Sequence, residues 1–376
     1  MEIDMTSTLR PFRPIKPGEI LQEELDARGW TQADLAEIVD RPVQAINEIV
    51  AGKKAITPET ALALAHALGT SPEYWLNLEG AYRLDLVLKE QDNGNTIARR
   101  AQLYTLAPVK ELLKRRWLDV PDPRDVDSLE QALCHFLDIP SPNVRPDIHF
   151  AARKSIADDP HNAAQTAWAC RAKQIAVQVR AGRFAPRQLA EICPQLPRLS
   201  LAEDEIRRVP GMLAECGVRF VIVEHLPHTR IDGGALWLDE HSPVVAVSLR
   251  YDRLDCFWFT LMHELAHISA GDARQEAYLD AALVGQDAET PANQNVVETQ
   301  ADATASEWLI PQQAFTRFVY QTRPYFSSNA ILAFAQEVHI HPAIVVGRLQ
   351  HSRIIAWTHH RRLLSKIRYI FAEHTS

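Results

Sequence analysis

The chain has 376 residues, 40 of them Lys or Arg and 48 Asp or Glu, for a formal net charge of −8. With 46% hydrophobic and 23% charged residues it reads as an ordinary globular protein, long enough for two or three domains with real cores. The charge argues against a strongly basic nucleic-acid binder, although a local basic face remains compatible with it. Cys134, Cys170, Cys193, Cys216 and Cys256 are odd in number, scattered, and form no C-x-x-C. That usage fits reduced thiols and offers no cysteine metal site. The N-terminus lacks an apolar signal core and no apolar run approaches membrane-spanning length, so the expected location is the cytoplasm, without a membrane partner.

In chain order, residues 1–16 are polar, carry Pro11 and Pro14, and read as a loose arm. Pro17-Gly18-Glu19-Ile20-Leu21 opens a first helix that Gly29 closes. Thr31 caps a short second helix, with Asp34 three residues on as a near capping box. A helix from Pro42 to Val50 follows and ends at Gly52, ahead of Lys53 and Lys54. Two short helices joined by a tight turn have the layout of a helix-turn-helix. Thr57-Pro58-Glu59 and Ser71-Pro72-Glu73 each start one more helix.

This block resembles the HigA-type helix-turn-helix of antitoxin regulators. The likeness is carried by Pro17-Gly18-Glu19-Ile20-Leu21, Thr31-Gln32-Ala33-Asp34-Leu35-Ala36, Ile46-Asn47-Glu48-Ile49, Gly52-Lys53-Lys54, Ile56 to Ala61, and Ser71 to Leu78. It implies a homodimer on double-stranded operator DNA. In that case Val43, Gln44 and Asn47 are the base-edge candidates on the recognition face. Gln32 would bind phosphate, helped by Arg41, Lys53 and Lys54. A helical bundle used only for dimerisation is the competing reading, and the excess of acidic residues in the first hundred favours it.

From about residue 91 to 210 the sequence reads as helices between proline-bearing loops: Ala101 to Trp117, Leu129 to Leu137, Ala163 to Val179 and Arg187 to Ile192. Gln91-Asp92-Asn93-Gly94-Asn95 reads as a turn. His161 and Trp168 fit the surface or the core better than a site. There is no internal repeat and no low-complexity tract.

At Gly217 the period changes to two. Val218 to Glu224, Ala235 to Leu238 and Val244 to Leu249 read as strands, with Asp232-Gly233-Gly234 as a turn. His225, His228 and His241 near the strand ends fit exposed loops better than an oxyanion site. Phe257 to Ala270 follows, an apolar helix containing His263-Glu264-Leu265-Ala266-His267, an H-E-x-x-H pattern. Residues four apart share a helix face, so both imidazoles can reach one Zn²⁺ while Glu264 flanks its open position. Val297 to Pro311 reads as a second helix. In it Glu298 can supply a third ligand, and Asp302, one turn on, can orient a ligand histidine through its ring N–H. A core helix that carries two histidines by chance is the plain alternative, and the downstream carboxylate pair weighs against it.

Here the chain resembles the ImmA/IrrE family of metallopeptidase-like proteins, through Phe257 to His267, Glu298-Thr299-Gln300-Ala301-Asp302 and Leu309-Ile310-Pro311. The resemblance covers roughly the C-terminal 160 residues, about one domain. It implies Zn²⁺ held by His263, His267 and Glu298, Glu264 as catalytic base, and a regulatory protein substrate such as a repressor or toxin. Ala266 stands where the family usually has Gly, and Thr304 where it usually has Phe; neither change removes a ligand. Ser327 to Val338 and His341 to Ile355 form a closing helix pair, and the basic tail with Arg361, Arg362, Lys366 and Arg368 reads as a solvated face.

The expectation is an α+β, mostly helical chain. It comprises an arm (1–16), a five-helix helix-turn-helix domain (17–90), a helical middle region (91–210) and a zincin-like domain (211–376) with a small sheet and the H-E-x-x-H helix. Function follows as a DNA-binding regulator joined to a zinc endopeptidase. The alternative is a DNA-binding antitoxin or transcription factor whose metal domain only senses or docks.

Overall fold

A computed structural model describes residues 15–90, 94–146, 148, 160–272, 278–281, 283–284 and 296–374. Most of the expected arm and the centre of the expected turn at 91–95 lie outside the described residues, as does the His161 side chain. The chain divides into two compact units, Met1–Arg99 and Arg100–Ser376.

The described residues of the first unit hold five whole helices: α1 (Pro17–Arg28), α2 (Gln32–Ile38), α3 (Val43–Val50), α4 (Pro58–Leu68) and α5 (Pro72–Glu90). Local chemistry explains their limits. Pro stands at the start of α1 and α4, where its missing N–H is no loss, and left-handed Gly29 and Gly69 end them. Thr31 and Asp34 form the full reciprocal capping box of α2. One apolar stripe from each helix closes the core, with Leu21, Leu25, Leu35, Ile46, Ile49, Leu64 and Trp75 buried. The Trp75 indole N–H donates to Thr70 Oγ1 at 2.8 Å, so the largest side chain of this core is also satisfied.

The unit boundary falls inside α6 (Gly94–Leu106), which is followed by α7 (Val109–Lys114), α8 (Val126–Leu137), α9 (Pro160–Gln178), α10 (Pro186–Ile192), α11 (Glu203–Ile206) and α12 (Val209–Glu215). The single helix expected from Ala101 to Trp117 is two, because Pro108 has no N–H to continue the ladder. Then come β1 (Arg219–Ile222), β2 (Ile231–Trp237), β3 (Pro243–Val247), α13 (Leu254–Ala270), β4 (Tyr278–Ala281), α14 (Val296–Leu309), α15 (Gln312–Thr322), α16 (Ser328–Glu337) and α17 (Pro342–His351). No single described helix is long and apolar enough to cross a membrane.

The strands form one sheet in the order β1-β3-β2-β4, with β1 parallel to β3 and the other pairs antiparallel. Both faces are covered. Phe220, Ile222, Ala235, Val245 and Val247 pack with α13 and the closing helices. Val221, Val223, Leu236, Val244 and Ala246 pack with the helices of residues 103–176, among them Trp168. The region without a readable role thus lids the second face of the sheet, which is why β2 and β3 are buried at every residue. Trp168 belongs to this core and donates to the Val223 carbonyl at 3.2 Å.

The expected turn at Asp232-Gly233-Gly234 is corrected: these residues are the body of β2. Pairing with β4 shifts register between Ile231 and Gly233, a bulge that sets Asp232 apart. Its buried carboxylate accepts from Arg250 Nε at 2.7 Å and Nη2 at 3.2 Å, and from the Leu283 and Val284 amides at 2.8 and 3.2 Å. Burial raises this carboxyl above its ordinary value, and the Arg250 and backbone donors oppose that rise.

Candidate metal centre and nucleic-acid interface

Helix α13 is buried along nearly its whole length, and its apolar flanks Phe257, Trp258, Leu261 and Leu265 anchor it in the core. This leaves His263, Glu264 and His267 as charged or polar groups with no exposure at all. Such burial is costly unless the groups are paired or hold a metal. The i, i+4 spacing brings His263 Nε2 to 3.1 Å from His267 Nε2. Helix α14 supplies the third group, with Glu298 Oε2 at 3.3 Å from His263 Nε2 and 3.7 Å from His267 Nε2. These donors all lie within 4.8 Å of one another.

The three separations fit a tetrahedral ion. Bonds of about 2.0–2.1 Å place neighbouring donors roughly 3.3 Å apart. Burial alone would raise the Glu298 carboxyl, but the two imidazoles beside it reverse this and hold it below the usual carboxylate range. The donor set therefore suits a divalent cation such as zinc.

A carboxylate lies behind each imidazole. His263 Nδ1 lies 2.9 Å from Asp302 Oδ1, as the spacing on α14 anticipates. His267 Nδ1 lies 3.4 Å from Asp272 Oδ2, just beyond Gly271, the left-handed cap of α13. Tyr278 of β4 stacks on the His267 ring, with centroids 4.5 Å apart and planes at 25°. Asp272 and Tyr278 were missed by sequence reasoning. A carboxylate five residues past the second histidine was the one available signal for Asp272.

Glu264 stands beside the cluster under β2. A methyl group on Gly233 would collide with Glu264 Oε1 and lie 2.5 Å from Thr260 Cγ2. Glycine at 233 is thus a close-approach residue that leaves room for the carboxylate. Gly234 likewise admits the Leu279 side chain, 2.6 Å from where its Cβ would be. His228 and His241 are exposed and His225 is half-buried, all outside the donor cluster. The basic tail residues Arg361, Arg362, Lys366 and Arg368 are exposed.

In the first unit, α3 buries Ile46 and Ile49 and turns Val43, Gln44 and Asn47 to solvent together. Gln44 Nε2 donates to Glu48 Oε1 at 3.1 Å across one turn. Lys53 and Lys54 are exposed just past α3, their amides bound to the Glu48 carbonyl at 2.8 and 3.1 Å. Arg41 is half-buried between α2 and α3. Gln32 opens α2 and donates to Gln22 Oε1 of α1 at 2.8 Å, so its amide nitrogen is already engaged.

Comparison with known proteins separates the same two parts. Residues 21–75 match the helix-turn-helix family, and residues 221–349 match the family described as an IrrE N-terminal-like domain. An uncharacterised HTH-type transcriptional regulator, YddM, of Escherichia coli is 36% identical over 69 residues, 18% of this chain and 73% of its own length. Antitoxin HigA-1 of Vibrio cholerae is 37% identical over 73 residues, 19% of this chain and 69% of its own. A solved HigA-family addiction module antidote protein from Coxiella burnetii is 42% identical, covering 23% of this chain and 94% of that one, with a TM-score of 0.22.

Proposed function

We propose a function from the premise that the chain belongs to the helix-turn-helix family of HigA-like regulators and carries an IrrE N-terminal-like peptidase domain. In this reading it is a cytoplasmic regulator that binds operator DNA as a homodimer. Its zinc endopeptidase domain cuts a regulatory partner, a repressor or a toxin, at one place. The domains run from 17 to 90 and from 211 to 376, with the helices between them covering the peptidase sheet.

The observation that carries the peptidase reading is the triangle of 3.1, 3.3 and 3.7 Å between the donors of His263, His267 and Glu298, with Glu264 beside it and outside it. A zinc ion there would polarise a peptide carbonyl and lower the pKa of a water. Asp302 and Asp272, close to Nδ1 of His263 and His267, would hold the ring protons there and leave both Nε2 lone pairs for the metal. Glu264 takes the water proton and passes it to the leaving amine. Strand β4, at the sheet edge beside His267, offers its backbone to an extended peptide, with Tyr278 fixing the ring that faces it.

For DNA, the carrying observation is the shared exposure of Val43, Gln44 and Asn47 on α3. Lys53, Lys54 and Arg41 would position the helix on phosphates, and Gln32 would add a contact on turning from Gln22.

The test is co-expression of wild type or Glu264→Gln with candidate repressors and toxins encoded beside it, following partner cleavage. Cleavage by wild type and a fall of roughly a hundredfold in Glu264→Gln are expected. Partner loss that persists in Glu264→Gln would assign the cut to another protease. Zinc and partner binding without any cut would favour the non-proteolytic sensor.

A further inference from the structure

Behind the donor cluster the second unit holds a separate cavity of about 120 Å³, between α13, α14 and α17. Phe259 marks its place. It sits one turn before His263 with ring centroids 6.3 Å apart, and its other neighbour is the His351 ring at 5.4 Å. The donors Nε2 of His263 and Oε2 of Glu298 face each other, whereas Asp302 approaches His263 from Nδ1. Ser306, one turn beyond Asp302 on α14, lines the cavity. The cavity therefore lies on the Nδ1 side, away from the face where a scissile peptide would meet a metal.

Its apolar walls are Phe259, Val284, Leu309, Ile344 and Trp357; Asp255, Ser306, His351 and Ser352 add polar groups, and Arg348 enters from α17. The charged groups that line it are held differently, with Glu307 acting on Arg348 and Asp302 on His351 from outside the lining. Asp255 is neutralised by a two-pronged pair with Arg253, Nε to Oδ1 at 3.0 Å and Nη2 to Oδ2 at 2.6 Å. Arg348 bonds only neutral oxygens among the described residues: the Ser306 carbonyl, the Ile310 carbonyl at 2.7 Å and Gln312 Oε1 at 2.6 Å. Burial pulls the Arg348 guanidinium down to about 10, so it keeps its charge at neutral pH. Glycine at 347 lets α17 lie against Asp255, since a Cβ there would stand 2.5 Å from Oδ2; the crossing that opens the cavity is built in.

We propose that this cavity is a binding site for a small aliphatic carboxylate, its tail among Phe259, Leu309, Ile344 and Trp357 and its anionic head on Arg348. An apolar cavity of about 150 Å³ takes benzene, so this one takes roughly five or six non-hydrogen atoms. Apolar walls beside one cation that has no carboxylate in hydrogen-bond contact favour an anion over a neutral or cationic molecule of equal length. The site stands whether or not the metal centre cuts peptides. It gives the domain a small-molecule input one helical turn from His263.

The test uses the metal-free full chain and three probes, butyrate, 1-butanol and butylammonium, with binding followed by calorimetry and ligand-observed NMR. Butyrate is expected to bind with a millimolar or tighter Kd, at least tenfold better than either other probe. Filling the cavity by Ser306→Leu, or independently by Leu309→Phe, should weaken butyrate at least tenfold in whichever variant keeps the wild-type fold by circular dichroism. Equal binding of the three probes, no butyrate binding, or unchanged binding in a folded filled variant would overturn the proposal. So would binding seen only with zinc present, which would place the carboxylate on the metal. Loss of zinc binding in the ligand variants leaves these outcomes untouched, so failure of the metal reading is read separately.

Discussion

His263 Nδ1 stands 2.9 Å from Asp302 Oδ1, while His263 Nε2 faces Glu298 and His267. An ionised carboxylate beside Nδ1 would favour the proton there and leave the Nε2 lone pair for a metal, which is the role proposed for Asp302. Asp302→Ala should therefore weaken zinc binding by roughly ten- to a hundredfold, the usual weight of such a partner. Chelator competition measures it. Wild-type affinity in Asp302→Ala would remove the residue from this role.

Gly233→Ala tests the approach of β2 to α13. The added methyl would meet Glu264 Oε1 and Thr260 Cγ2. Overpacking of this kind costs about 1–3 kcal/mol. The urea midpoint should fall accordingly and zinc should remain, while any cleavage activity drops by roughly tenfold or more as Glu264 is displaced. A wild-type midpoint together with wild-type cleavage would show that the strand yields freely.

Both results bear on what could be read from residues alone. His263 and His267 were legible because a helical period of 3.6 places them on one face whatever surrounds them. Thr31 with Asp34, and the Pro and Gly limits of α1 and α4, were legible for the same local reason. Gly233 was not. Two adjacent glycines signal a turn by local rule, and their actual cause is tertiary: the Glu264 carboxylate, Thr260 and the Leu279 side chain need the space. Asp272 lies past a helix-ending glycine, where a loop is the default reading. The helices covering the second sheet face have ordinary local patterns, and nothing in them names the sheet as their partner.

Asp232 gives a stability prediction. Its buried carboxylate joins the partly exposed Arg250 to the amides that follow β4. Asp232→Ala removes this acceptor from the Arg250 guanidinium and from two amides, which should cost about 2–4 kcal/mol. Chemical denaturation checks this. A loss under about 1 kcal/mol would mean that the chain after β4 is held by other contacts.

On α3, Gln44 and Lys53 should separate the two kinds of DNA contact. Gln44→Ala should lose preference for the operator over scrambled duplex by about 1–3 kcal/mol. Lys53→Ala should weaken both duplexes alike and lower the salt dependence by about one phosphate contact. Fluorescence anisotropy at several salt concentrations reads both. If neither variant differs from wild type, α3 does not face DNA.

The most direct measurement is the zinc content and zinc affinity of the purified full chain beside Glu298→Ala and Glu264→Gln. The donor triangle predicts about one zinc in the wild type, a loss of binding in Glu298→Ala, and an unchanged metal content in Glu264→Gln. Equal stoichiometry and affinity in the wild type and Glu298→Ala, or loss of zinc from Glu264→Gln, would contradict the metal centre as assigned.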